Sequence, residues 1–157
     1  MNADRGLVGT ALGCVAAVGA ALISQHRFYM QPCPWCVLQR VIFLAIAIAC
    51  VLGLVWRNRV GRRTSAALGL VLALCGIAAA LWQHFKAAAS ASCNLTLADK
   101  IVSRWLELDQ LLPNVFEPRA SCADAAVSLL GVPYDFWSLA LFAAMGVVLF
   151  TLLRQPR

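Results

Sequence analysis

Hydrophobic residues fall along this chain in four long blocks, with the polar residues gathered between them. The blocks cover residues 7–24, 41–56, 66–85 and 136–153, against the roughly 17 to 25 apolar residues that a helix needs to cross a bilayer. Each is read as a spanning helix, and the second, the shortest, is expected to borrow a residue or two at each end. The first follows Arg5 much as a secretory signal would. Its apolar run is nevertheless longer than the roughly 7 to 15 residues of a signal core, and no Ala-x-Ala site follows it, so it is expected to stay as a helix. Small residues such as Gly9 and Gly13 in the first block and Gly69 and Gly76 in the third permit close helix contacts, as suits a setting where lipid supplies no hydrophobic drive between helices.

The loops between the blocks are 25–40, 57–65 and 86–135. In the last, Leu97, Ile101, Trp105, Leu108 and Leu112 recur at spacings of four, four, three and four, the repeat of one helical face. The pattern predicts an amphipathic helix, opened by Thr96 with Asp99 three residues on and ended by Pro113. Its apolar side is expected to rest in the membrane interface, with packing on the ends of the spanning helices a compatible alternative. No repeat, low-complexity tract or linker divides residues 1–157, which are read as one domain.

Composition agrees with the pattern. The chain is 62% hydrophobic and 13% charged, with a mean hydropathy of +0.79, too apolar for an ordinary soluble domain of this length. A net charge of +6 could suggest nucleic acid. Arg57, Arg59, Arg62 and Arg63 sit together between two spanning blocks, however, where a membrane-orienting loop accounts for them better. The 86–135 segment holds four basic residues against six acidic ones. The positive-inside tendency therefore predicts both termini and the arginine loop in the cytoplasm, and the other two loops outside. Trp56, Trp82 and Trp137 fall at helix ends, where indole rings favour the headgroup level.

Seven cysteines are present. Cys14, Cys50 and Cys75 fall within spanning blocks and read as small hydrophobes. Cys33, Cys36, Cys93 and Cys122 all belong to the predicted outer loops, an oxidising setting in which disulfides persist. A Cys-x-x-Cys bridge closes too small a loop to be a good staple and is better suited to exchange. Cys36 falls at the start of the second helix, where unsatisfied N–H groups favour a thiolate. Arg40 lies one turn deeper on the same face. A guanidinium at the membrane edge needs a partner, and the candidates are the Cys36 thiolate or an oxygen-bearing ligand; plain snorkelling to the interface is the alternative.

Two redox pairs need an electron acceptor. The chain has no glycine-rich dinucleotide or phosphate loop, no haem attachment motif and no paired histidines at ligand spacing, so no nucleotide, flavin or metal cofactor is expected. A carrier that dissolves in the bilayer remains, and a quinone fits.

Four spanning helices, Cys-Pro-Trp-Cys-Val-Leu-Gln-Arg at the head of the second, and a cysteine pair in the loop before the fourth, with Leu-Pro-Asn-Val-Phe ahead of Cys122, resemble the DsbB family of bacterial disulfide bond formation proteins. The resemblance covers essentially the whole chain. It implies an all-α, four-helix bundle in the inner membrane that reoxidises a periplasmic DsbA-like dithiol protein and passes the electrons to ubiquinone or menaquinone. It further implies that Cys93 and Cys122 meet the partner, that Cys33 and Cys36 reoxidise that pair, and that Cys36 delivers electrons to a quinone held by Arg40. Some family members have a histidine linked to the quinone near the outer end of the third helix; His84 is the candidate here, with a non-catalytic interfacial histidine as the alternative. The resting disulfides are left open between Cys33–Cys36 with Cys93–Cys122 and a rearranged pairing that joins the two loops.

Three other readings compete. A family sibling could serve a dedicated partner. Vitamin K epoxide reductase relatives also combine four helices, two cysteine pairs and a quinone, but there the Cys-x-x-Cys follows the loop pair, whereas here it comes first. A non-enzymatic protein could use the four outer cysteines as structural disulfides or as a zinc site.

Overall fold

The computed structural model describes residues 3–87, 97–124 and 128–154. Helix α1 spans Ala3–Phe28, α2 spans Pro34–Val55 and α3 spans Arg59–Trp82, continuing into a wider π turn over Gln83–Ala87. Three short pieces follow: α4 (Leu97–Asp99) with a π turn over Lys100–Trp105, α5 (Leu108–Leu111) and α6 (Pro113–Phe116). Strands β1 (Ser128–Leu129) and β2 (Val132–Pro133) make a small antiparallel hairpin, and α7 (Tyr134–Arg154) completes the chain. Helices α1, α2 and α7, and α3 with its extension to Lys86, are each long and apolar enough to cross a membrane. The molecule is an all-α, four-helix membrane bundle.

The helices outrun the apolar blocks because polar residues cap them. Helix α2 begins at Pro34 rather than near Val41, since proline is preorganised for the first helical position and Cys33 serves as the N-cap. Helix α3 begins at Arg59, with the Asn58 side chain accepting from the Gly61 N–H. The arginine loop is thereby reduced to a tight turn.

Around the bundle α1 packs on α2, α2 on α3, α3 on α7, and α7 returns to α1. Leu7, Cys14, Ile46, Cys50 and Leu149 fill the centre, where the Phe43 and Phe142 rings stack with centroids 4.0 Å apart. Gly76 makes that stack possible: a Cβ there would run into the Phe142 ring. Cys14 and Cys50 are fully buried, as expected of small hydrophobes, while Cys75 faces outward from α3.

The two ends of the bundle differ. At one end Arg62 pairs with Asp4 at 3.0 Å and Arg63 donates to the Leu153 carbonyl at 3.2 Å, so the starts of α1 and α3 meet the close of α7. At the other end a second apolar cluster joins Cys33, Trp35, Val37, Ala98, Val102 and Cys122.

The predicted amphipathic helix takes a different form. It is interrupted after Leu106, where Glu107 adopts a left-handed conformation with φ of 48°. Pro113 opens a short helix instead of ending a long one. Of the expected stripe, Ile101 and Leu108 pack partly buried against the second apolar cluster. Ala98 and Val102 pack inward, whereas Leu97 and Trp105 are 64% and 80% exposed. Thr96, the expected cap, lies outside the described residues.

Candidate functional site

Two prolines and four backbone N–H bonds bring the cysteines together. Pro34 has no N–H, so the first donors of α2 belong to Trp35 and Cys36. The Cys36 N–H donates to the Cys33 sulfur at 3.4 Å, and the Trp35 N–H donates to the Cys122 sulfur. The Arg119 and Ala120 N–H groups both donate to the Pro32 carbonyl, at 2.9 and 3.3 Å. That clasp carries Cys122 to the head of α2.

Cys33 stands between the other two sulfurs. Its Sγ lies 2.9 Å from Cys36 Sγ, and its thiol hydrogen-bonds to Cys122. Those bonds, to Cys122 first and then Cys36, need the Cys33 proton and push its pKa up. Cys122, accepting from Cys33, is held below the ordinary thiol value. Cys33 and Cys122 are buried, and Cys36 is partly open. Cys93 lies outside the described residues, so the cluster comprises three of the four outer cysteines.

A cavity of 360 Å³ opens beside Cys36, within the roughly 300 to 1,000 Å³ typical of small-molecule sites. Cys36 and Arg40 line it from α2, Ser24 and Phe28 from α1, Met30 from the connecting segment and Tyr134 from α7. Its exposed wall is mainly apolar in area, and the polar groups on it include the Cys36 thiol, the Arg40 guanidinium, the Gln31 amide and the Asp124 carboxylate. A planar, lipid-soluble ring bearing two carbonyl oxygens fits that donor set. Arg40 is buried and already held: Nη1 donates to Gln25 Oε1 at 2.8 Å and to the Val115 carbonyl at 2.7 Å. These protein acceptors, and not the Cys36 thiolate that was one of the two candidate partners, satisfy the guanidinium at Nη1.

On the other side of Cys36 is a buried polar network. Gln83 Nε2 donates to Cys36 Sγ at 3.3 Å and also to Asp135 Oδ1. Gln83 Oε1 accepts from Gln39 Nε2 at 2.8 Å. His84 does not line the cavity; its Nδ1 is 3.6 Å from Asp135 Oδ2, and its ring meets Phe85 and Phe136 edge-on.

Gln25, Gln39, Gln83 and Asp135 were not singled out in the sequence. A signal existed, since each is a polar residue in or beside an apolar block, where such groups are costly without a function. No short motif links them: the side chains that meet at Gln83 come from positions 36, 39 and 135.

Comparison with known proteins follows the same direction. The family model for "Disulfide bond formation protein DsbB" matches residues 4–152. "Disulfide bond formation protein B" of Pseudomonas syringae pv. tomato is 34% identical over 147 residues, covering 92% of this chain and 85% of the relative. "Disulfide bond formation protein B 1" of Pseudomonas savastanoi pv. phaseolicola is 35% identical over 147 residues, with the same coverage of 92% and 85%. The protein of the first name from Aromatoleum aromaticum is 32% identical over 148 residues, 92% of this chain and 88% of its own. With a matching family model across nearly its full length and a four-helix bundle that gathers the motif cysteines at one end, this chain belongs to the DsbB family of disulfide bond formation proteins.

Proposed function

We propose that the chain is a protein-dithiol:quinone oxidoreductase of the bacterial inner membrane, oxidising a periplasmic DsbA-like partner and sustaining disulfide formation. The observation that carries this reading is the position of Cys33, between Cys122 on one side and Cys36, facing a membrane-edge cavity, on the other. We also propose a single membrane domain with both termini in the cytoplasm.

The exchange steps balance as follows. A thiolate of the partner attacks the Cys93–Cys122 disulfide; the partner's second thiol resolves the mixed disulfide, leaving the partner oxidised and Cys93 and Cys122 reduced. Cys122, the sulfur with the depressed pKa, then attacks Cys33 of a Cys33–Cys36 disulfide and releases Cys36 as a thiolate beside the cavity. Cys93 attacks Cys122, restores the loop disulfide and frees Cys33. The result is a Cys33 and Cys36 dithiol carrying two electrons.

A bound quinone would supply a sink for two electrons and two protons. Cys36 and Arg40 are the residues that would hold its ring, with Tyr134 at the wall. Arg40, fixed through Nη1 by Gln25 and Val115, keeps a positive charge at the cavity without having to reorganise. Oxidation of the dithiol re-forms Cys33–Cys36, and the two thiol protons leave with the electrons.

The test is quinone reduction by the purified protein with a reduced dithiol protein as donor. Cys36→Ser is expected to abolish turnover. Arg40→Ala is expected to raise the apparent quinone KM about tenfold, about 1.4 kcal/mol of binding. Unchanged quinone kinetics in both variants would remove this site.

A further inference from the structure

Asp135 is a carboxylate only 7% exposed at the membrane edge, where a charge is expensive unless paired. Its oxygens meet Gln83 on one side and His84 on the other. The Gln83 amide nitrogen is shared between that carboxylate and the Cys36 sulfur, and Gln39 occupies the amide oxygen. Gln83 cannot turn away without breaking bonds at both of its ends. One amide group thus separates the buried carboxylate from the sulfur facing the cavity.

We propose that His84 and Asp135 form a hydrogen-bonded positioning pair for Cys36, coupled to its sulfur through Gln83, with His84 acting on the thiol by way of Asp135 rather than on a ligand in the cavity. This rests on the reading of Cys36 as a reactive thiol and gives His84 a role in it. A bare carboxylate one amide away opposes a second negative charge on Cys36. The His84 ring, with Nδ1 3.6 Å from Oδ2, donates to the carboxylate and draws its charge away from the sulfur, which offsets that opposition. The other titratable or charged groups around this sulfur are Cys33, Arg40 and Cys122, with Tyr134 beside Arg40 and Asp124 on the wall of the same cavity. None of these lies between Asp135 and His84.

The experiment follows the rate of Cys36 alkylation by iodoacetamide against pH, in the reduced full chain in detergent without quinone. Mass spectrometry of the tryptic peptide 28–40 resolves Cys36 from Cys33. His84→Gln is expected to move the midpoint up by about one pH unit, about tenfold slower alkylation at neutral pH. Asp135→Asn is expected to move it down. In the Asp135→Asn background His84→Gln should add nothing, because there is no charge left to compensate. An unshifted midpoint in His84→Gln, or the same shift in both backgrounds, overturns the inference. If His84→Gln does not fold, His84→Asn takes its place under the same criteria: an upward shift that is lost in the Asp135→Asn background supports the pair, and no shift, or the same shift in both backgrounds, overturns it. A Cys36 that resists alkylation throughout, in the unsubstituted protein, overturns the reading of the thiol itself and the pair with it.

Discussion

Cys33 has two roles: it caps helix α2, and its one thiol proton is shared between hydrogen bonds to Cys122 and Cys36. Its pKa is raised and that of Cys122 lowered, so at a pH below the ordinary thiol range Cys122 holds the larger thiolate fraction. In the reduced protein Cys122 is therefore expected to alkylate at least about tenfold faster than Cys33 near neutral pH. Cys33→Ala should shift the Cys122 profile to higher pH, because the hydrogen bond that favours its thiolate is gone; a Cys122 profile that stays in place would deny that bond. At this scale the sequence singled out Cys33, Cys36 and Arg40 through a short motif, and the structure places them together. The sequence did not show Gln25, Gln83 or Asp135, whose meaning depends on contacts across 15, 47 and 52 positions of chain.

At the scale of elements, the hydrophobic pattern located all four spanning helices but not their ends, which depend on caps such as Cys33 and Asn58 rather than on apolar residues. The 97–112 segment was harder to read. A periodicity argument assumes about 3.6 residues per turn, and the π turn at Lys100–Trp105 together with the left-handed Glu107 breaks that assumption, leaving Trp105 outward and Val102 inward. Close approach of helices is a further property of the elements. Gly76 sits where α3 meets the Phe142 ring, so Gly76→Val is expected to cost about 1 to 3 kcal/mol through overpacking. Gly9, with nothing within 4 Å of an added Cβ, should accept alanine within about 0.5 kcal/mol. Denaturant titration of the detergent-solubilised protein measures both, and equal costs would contradict the packing described.

The whole molecule is polarised, with the arginine turn, the start of α1 and the close of α7 at one end of the bundle and the cysteine cluster at the other. The orientation proposed from charge predicts that, with the four outer cysteines replaced by serine, a membrane-impermeant maleimide added to intact cells labels Ser121→Cys and not Asn58→Cys. The reverse pattern would turn the protein over in the membrane. The proposed relay needs that polarity, since a soluble dithiol and a lipid-soluble acceptor can meet only at such an end. The most direct test of that relay is its stoichiometry, followed by the ultraviolet absorbance of ubiquinone in detergent with a reduced DsbA-like protein as donor. The account predicts one quinol formed for each partner dithiol oxidised, and no turnover in Cys93→Ser. Quinone reduction that persists in Cys93→Ser, or partner oxidation with no quinol formed, would contradict it.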